Sequence, residues 1–150
     1  MNIMLNMLIA LMLSFNNKDF DEKSQSVERT QYGIWSECVK QEVLYPDIAV
    51  RIATTETQCG TTGVGKSRNN VFGFQTKSGY MYFESITACI SYYKAHQDRK
   101  YPKHLEVSHK ASECSYYCFI ESIGWKTGKP YSPAEKKYTN YLKRIKLNFR

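Results

Sequence analysis

"TTETQCGTTGVGKSRNNVFGF", residues 54–74, admits two readings. Gly60, Gly65, Lys66 and Ser67 match the phosphate-loop pattern G-x-x-x-x-G-K-[ST]. A working phosphate loop is entered by a buried strand and left by a helix, so that backbone N–H groups and a helix N-terminus face the phosphates. Here the entering segment, "DIAVRIATTETQ", has helical spacing, with Ile48, Ala49, Ile52, Ala53 and Glu56 on one face. The leaving segment, "SRNNVFGFQTKSG", carries an Asn pair and two Gly and is poor helix. No later apolar strand ends in an Asp to hold magnesium, and the alternating βα pattern of such folds is absent. The stretch is therefore expected to be a helix end followed by a glycine-shaped loop beside a cleft, in a mainly α domain that binds no nucleotide.

Outward from this stretch the periodicity stays helical. One helix is expected over about residues 28–43, with Ile34, Trp35, Cys38 and Val39 on one face. The next starts at Pro46-Asp47, a helix-start pair, and Gly60 is its expected stop. Residues 59–83 read as loop, with a short hairpin turning at Ser78-Gly79. Further helices are expected over about residues 85–98 (Ile86, Cys89, Ile90, Tyr93) and 110–123 (Ala111, Cys114, Tyr117, Cys118, Ile120). A last one begins at "SPAE", where Ser132 caps, Pro133 takes the first turn and Glu135 closes a capping box. Its apolar residues are Tyr138, Tyr141, Leu142 and Ile145.

The chain has 150 residues, enough for one core. Its organisation is expected to be an apolar segment at residues 1–15, a polar linker at 16–27 and one domain at 28–150. The opening run "MNIMLNMLIALMLSF" has the length of an export-signal core and is too short to span a bilayer comfortably. It reads as a weak export signal or a membrane tether through residues 3–13, with a helix packed on the domain as the alternative. The net charge of +7 draws the protein to nucleic acid, anionic membranes or anionic wall polymers. The lysines of "KKYTNYLKRIKLNFR" are interleaved with apolar residues at helical spacing, and no recognition motif accompanies them, so no nucleic-acid partner is expected. Five cysteines leave at least one thiol unpaired within the chain. None forms C-x-x-C or stands at a ligand spacing from a His, so neither metal nor cofactor is expected. Cys38, Cys89 and Cys118 fall on apolar stripes and are expected to be small core residues.

Glu56 shares its helix face with Ile52 and Ala53. A carboxyl group aimed at apolar neighbours loses solvation, which favours its protonated form. A carboxylic acid of that kind can protonate the leaving oxygen of a glycoside. From spacing alone a helix-end Glu could equally turn to water, or pair with Arg51 or Lys66.

The same stretch resembles the signature of glucosaminidase-type peptidoglycan hydrolases, glycoside hydrolase family 73, of the lysozyme-like superfamily. That signature runs roughly A-Q-A-x-L-E-[ST]-G, a short Ser/Gly-rich stretch, then N-N-L-F-G-[IF]-K. Glu56 falls on its acid, and Asn69, Asn70, Phe72 and Gly73 on N-N-x-F-G. "YMYFESITACISYY", "YYCFIESIGW" and "KYTNYLKRI" resemble the family's later blocks in the same order, so the likeness covers about residues 38–146. The resemblance implies a lysozyme-like α-helical domain with a short loop and β-hairpin lobe. It implies cleavage of β-1,4 links in the peptidoglycan glycan, as an endo-β-N-acetylglucosaminidase, in the cell envelope of a bacterium or outside it, or with a phage. Glu56 would be the general acid. Asn70 would brace the loop behind it, Phe72 would be core or cleft floor, and aromatic residues near the cleft, Tyr80 and Tyr138 among them, would meet sugar faces.

The chain departs from the pattern in three places. Gln58 stands where the family has Gly, which is expected to displace the turn towards Gly60. Trp125 stands where the family has a tyrosine, and "KTGKPYSP" is inserted after it. Tyr131 is then expected to supply the hydroxyl at the reaction centre, with Trp125 as a stacking platform. Finally, no Asp or Glu lies between Glu56 and Phe83 to serve as the second carboxylate of a two-acid mechanism. Glu84 follows at a helix start, and Glu106 and Glu121 are further candidates. Glu56 is otherwise expected to act with water or with the substrate's own 2-acetamido group. Muramidase or lytic transglycosylase cleavage of the same glycan, and a non-catalytic wall-binding protein of this fold, are the alternatives.

Overall fold

Thr30 starts the first helix, α1 (Gln31–Lys40): its hydroxyl accepts from the Gly33 N–H at 3.0 Å, satisfying a donor that has no partner inside the helix. The architecture is described for residues 26–108, 112–123, 125 and 137–149 of a computed structural model. The apolar segment 1–15, the polar residues up to 25, Tyr131 and the expected cap at Ser132, Pro133 and Glu135 lie outside the described residues. The buried stripe of α1 is Ile34, Glu37 and Cys38, while Val39, expected on it, is exposed. Burial of Glu37 is made tolerable by its Oε1, which accepts from Gln41 Nε2 at 2.7 Å.

Helix α2 (Pro46–Thr57) begins at the expected Pro-Asp pair and buries Ile48, Ala49, Val50, Ile52, Ala53 and Thr57. It packs against α1 and against two helices met later in the chain, which is why so much of its surface is apolar. Tyr45 before it is held in left-handed backbone. A fully buried Gln97 fixes that turn: its Oε1 accepts from the Leu44 N–H at 2.7 Å, and its Nε2 donates to the Leu44 carbonyl at 2.9 Å and to Tyr116 Oη at 2.8 Å.

The helix ends at Thr57, not towards Gly60. Gln58, Cys59 and Gly60 are all left-handed, at φ of 48°, 57° and 87°. Two bonds close the end, Gln58 N–H to Thr54 O and Cys59 N–H to Ala53 O, each 3.0 Å. The loop expected next contains a short helix, α3 (Gly63–Arg68). Gly65 allows it: a Cβ there would lie 2.6 Å from both the Gly60 Cα and the Thr57 Cβ, so only glycine lets α3 fold back onto the end of α2. Strands β1 (Gln75–Thr76) and β2 (Gly79–Tyr80) form the expected hairpin. They pair Gln75 with Tyr80 and Thr76 with Gly79, so Lys77 and Ser78 make the turn, one residue earlier than expected.

Helix α4 (Ile86–Ser108) runs well beyond the expected end at residue 98, through an exposed Pro102. Its stripe simply continues, from Cys89, Ile90 and Tyr93 to Gln97 and Tyr101, and that burial outweighs the N–H lost at the proline. Helix α5 (Glu113–Ile123) buries Ser115, Tyr116, Tyr117, Phe119 and Ile120, and leaves Cys114 and Cys118 exposed, which corrects the core position expected for Cys118. Helix α6 (Lys137–Arg144) buries Thr139 and Leu142, with Tyr141 turned outwards. The chain then returns to α1, where Gln31 Nε2 donates to the Lys146 carbonyl and Gln31 Oε1 accepts from the Asn148 N–H. The protein is mainly α, with one short hairpin among the described residues, and its buried apolar residues form one cluster drawn from α1, α2, α4, α5, α6 and the loop between α3 and β1.

Candidate functional site

Glu56 is the last residue but one of α2 and is half-buried. Thr57 beside it is 1% exposed and ties the helix end to the following loop. Its hydroxyl donates to the Val71 carbonyl at 2.9 Å and accepts from the Gly60 N–H at 2.9 Å.

The loop facing Glu56 is built by two asparagines. Asn69 is left-handed at φ of 51° and ends α3. Its Nδ2 donates to the carbonyls of Phe83 and Glu84, at 3.0 and 3.2 Å. Asn70 is wholly buried, and its amide is used up internally: Oδ1 accepts from the Phe74 N–H at 2.8 Å, and Nδ2 donates to the carbonyls of Phe74 and Met81 at 2.8 and 3.0 Å. These bonds hold residues 70–74 in a tight arch with Gly73 near its crest at φ of 70°. A Cβ on Gly73 would lie 3.4 Å from Glu56 Oε2, so glycine here both permits the left-handed backbone and keeps one carboxyl oxygen uncrowded.

The other carboxyl oxygen meets a tyrosine. Tyr138 Oη donates to Glu56 Oε1 at 2.6 Å, across 82 residues of chain. An eight-residue helix has little stability of its own, so Tyr138 depends on what anchors α6. Leu142 is fully buried, and Arg51 Nη1 donates to the carbonyls of Leu142 and Lys143, at 3.3 and 2.8 Å. Thr139 Oγ1 also donates to Glu121 Oε1 on α5. The arrangement therefore orients a single carboxyl group: Oε1 is engaged by a phenol, and Oε2 lies over a glycine.

The remaining residues singled out from the sequence fall in different places. Phe72 is 1% exposed and stacks on Tyr93 at 4.4 Å, so it is core rather than a contact for ligand. Asn70, equally buried, also has no surface for direct substrate contact and serves the loop instead. Trp125 follows α5 and is ringed by Phe74, Tyr93, His96 and Phe72, at 5.3, 5.4, 6.1 and 6.5 Å. It is half-buried among the protein's own rings. Tyr80, on β2, is 45% exposed. Another exposed ring is Tyr92, packed edge-on to Phe74 at 4.8 Å. The side chain of Glu106 and all of Tyr131 lie outside the described residues. Glu84 is exposed on a groove of about 740 Å³ whose lining does not include Glu56. Glu121 is committed to Thr139.

The phosphate-loop lookalike has a different job. The segment entering it is α2, and Gly65, Lys66 and Ser67 lie inside α3. The carbonyls of Gly60 and Gly65 both accept from Arg29 Nη1, so what these glycines surround is a cation from the same chain. Among the described residues no group of three or more His, Cys, Asp or Glu is placed to hold a metal, and no helix is long and apolar enough to cross a membrane.

Beneath the site lies a buried phenol pair, Tyr93 and Tyr116, with hydroxyls 2.7 Å apart. Burial pushes Tyr116 up to about 12 and Tyr93 well above its ordinary range. Burial, with Arg99 and Lys100 adding to it, lowers His96 below its usual 6.5. Sequence reasoning missed Thr57 and Arg29, because nothing in a single Thr at a helix end or a single Arg before a helix marks where its hydrogen bonds go. Compared with protein-family models, curated proteins and solved structures, the chain matches none.

Proposed function

We propose that the protein is a peptidoglycan hydrolase with a lysozyme-like domain, cleaving β-1,4 links of the wall glycan as an endo-β-N-acetylglucosaminidase. The observation that carries this reading is the hydrogen bond from Tyr138 to Glu56, with Gly73 opposite. A carboxyl group held through Oε1 keeps Oε2 to carry and deliver a proton to a glycosidic oxygen. The hydroxyl on the acid is then that of Tyr138, a residue first singled out as a sugar contact. Water, or the substrate's 2-acetamido group, completes the cleavage at the sugar carbon. Exposed Tyr80 and Tyr92 offer apolar faces for the glycan strand. The +7 charge suits an anionic wall, and residues 3–13 would export the chain or tether it at the membrane facing that wall.

The test is clearing of purified cell walls, in gel and in suspension, by the native protein and by Glu56→Gln. Clearing by the native protein alone, with products ending in reducing N-acetylglucosamine, is the expected result. Products ending in muramic acid or an anhydro sugar would move the cleaved bond and keep the acid. Wall binding without clearing by either protein would replace the enzyme with a binding protein of the same fold.

A further inference from the structure

Arg29 precedes α1 in a non-helical segment, far in sequence from everything it binds. Its Nη1 donates to the Gly60 carbonyl and, at 2.7 Å, to the Gly65 carbonyl. Its Nη2 donates to Asn69 Oδ1 at 2.7 Å. The three acceptors belong to the turn after α2, the body of α3 and the residue that ends α3. Asn69 passes the connection on through Nδ2 to the carbonyls of Phe83 and Glu84, just ahead of α4. One guanidinium thus grips the loop where it leaves the Glu56 helix, and, through one amide, where it returns.

The chemistry of the acceptors explains why an arginine stands there. A six-residue helix has no stability of its own, and its last carbonyls lack intrahelical donors. A planar cation with donors in a fixed fork can satisfy several such oxygens at once, and a positive charge is favourable at a helix C-terminus. Gly60 leaves the room: a Cβ there would lie 3.0 Å from Arg29 Nη1.

We propose that Arg29 is a positioning residue for Glu56. Its clamp sets the spacing between the end of α2 and the arch at residues 70–74, and with it the register of the carboxyl group against Gly73 and Tyr138. Without the clamp two carbonyls and an amide oxygen lose their donor, α3 loosens, and the arch shifts relative to the acid. A displacement of about 1 Å at a reacting group costs about a hundredfold in rate.

The activity arm of the test rests on the hydrolase reading, and the exchange arm does not. Amide hydrogen exchange is measured in the native protein, Arg29→Ala and Arg29→Lys. The expected result is a loss of protection of at least about tenfold at residues 57–62 and 70–74 in Arg29→Ala, with α5 unchanged, and a smaller loss in Arg29→Lys, which can meet fewer of the acceptors. In wall clearing, kcat of Arg29→Ala is expected to fall by about ten- to a hundredfold, with KM within a few-fold. Guanidinium ion at millimolar concentration, far below the denaturing range, is expected to restore much of it. Should Arg29→Ala not fold, Arg29→Lys carries both arms. Unchanged protection at residues 57–74 in the variants would overturn the clamp. A local loss of protection with kcat intact, or with KM alone altered, would overturn positioning. An inactive native protein would sink the hydrolase reading and leave the exchange result to judge the clamp.

Discussion

At position 56 the side chain is chosen by its neighbours more than by its own chemistry. An exposed Glu at a helix end is ordinary; this one is half-buried, with a phenol on one oxygen and a glycine beneath the other. Tyr138→Phe keeps the ring and deletes the donor. Glu56 becomes a carboxylate as it gives up its proton, and a hydrogen bond to a charged group is worth about 1.5–3 kcal/mol, so the clearing rate is expected to fall roughly ten- to a hundredfold with the fold retained. An unchanged rate would make Tyr138 a bystander. Gln58 is the second residue whose setting decides its effect. It occupies left-handed backbone that costs a non-glycine residue about 1–2 kcal/mol. Gln58→Gly is expected to raise unfolding stability by about 1 kcal/mol in a urea titration, and a lower midpoint would show that the glutamine side chain compensates for its backbone. That Glu56 shares a helix face with Ile52 and Ala53 and is partly covered was legible in the sequence. Its phenol partner was not, because the two are 82 residues apart and only the packing of α6 on α2 joins them.

Among the elements, α3 shows how much can hang on one missing methyl group. Gly65→Ala would drive a Cβ to 2.6 Å from the Gly60 Cα and Thr57 Cβ. The expected cost is about 3 kcal/mol, the upper part of the range for overpacking a close contact, read from thermal or urea unfolding. A loss under about 0.5 kcal/mol would mean that α3 can lift away from α2, against the close packing described. The long helices were visible as stripes of period 3.6, and α4 passes the expected end at residue 98 because its buried stripe continues through Gln97 and Tyr101. Helix α3 was invisible for the opposite reason. Its six residues are two glycines, Val64 and the polar Lys66, Ser67 and Arg68, with no stripe, and its stability comes from Arg29 and from contact with α2.

For the molecule as a whole, burial sorts the thiols and shifts His96. Cys38, Cys59 and Cys89 are buried, and burial raises all three, Cys89 to about 12; Cys114 and Cys118 are exposed. A thiol reagent is expected to label two cysteines promptly in the folded protein and all five in denaturant, counted by mass. Prompt labelling of a third would show that the core opens. His96 lies among Phe74 and Trp125, and its lowered folded value means that the unfolded chain binds the proton first. Its contribution to stability is present above pH 6.5 and is lost as pH falls through that value towards the lower folded one. The gap in unfolding free energy between the native protein and His96→Gln is expected to shrink on going from neutral to mildly acid solution. A gap that is flat with pH would mean that the imidazole is solvated.

What the sequence by itself determined is the helical class, the start of α2, the stripe of α4, parts of those of α1 and α5, and the place of Glu56 near the end of α2. These follow from interactions between residues three or four apart, which a linear reading can see. The tertiary structure alone decided which phenol meets Glu56, that Phe72 is core and not cleft floor, and that the glycines of a phosphate-loop pattern surround the guanidinium of Arg29. Those outcomes depend on which helices lie side by side, and distance along a chain says little about distance through a core.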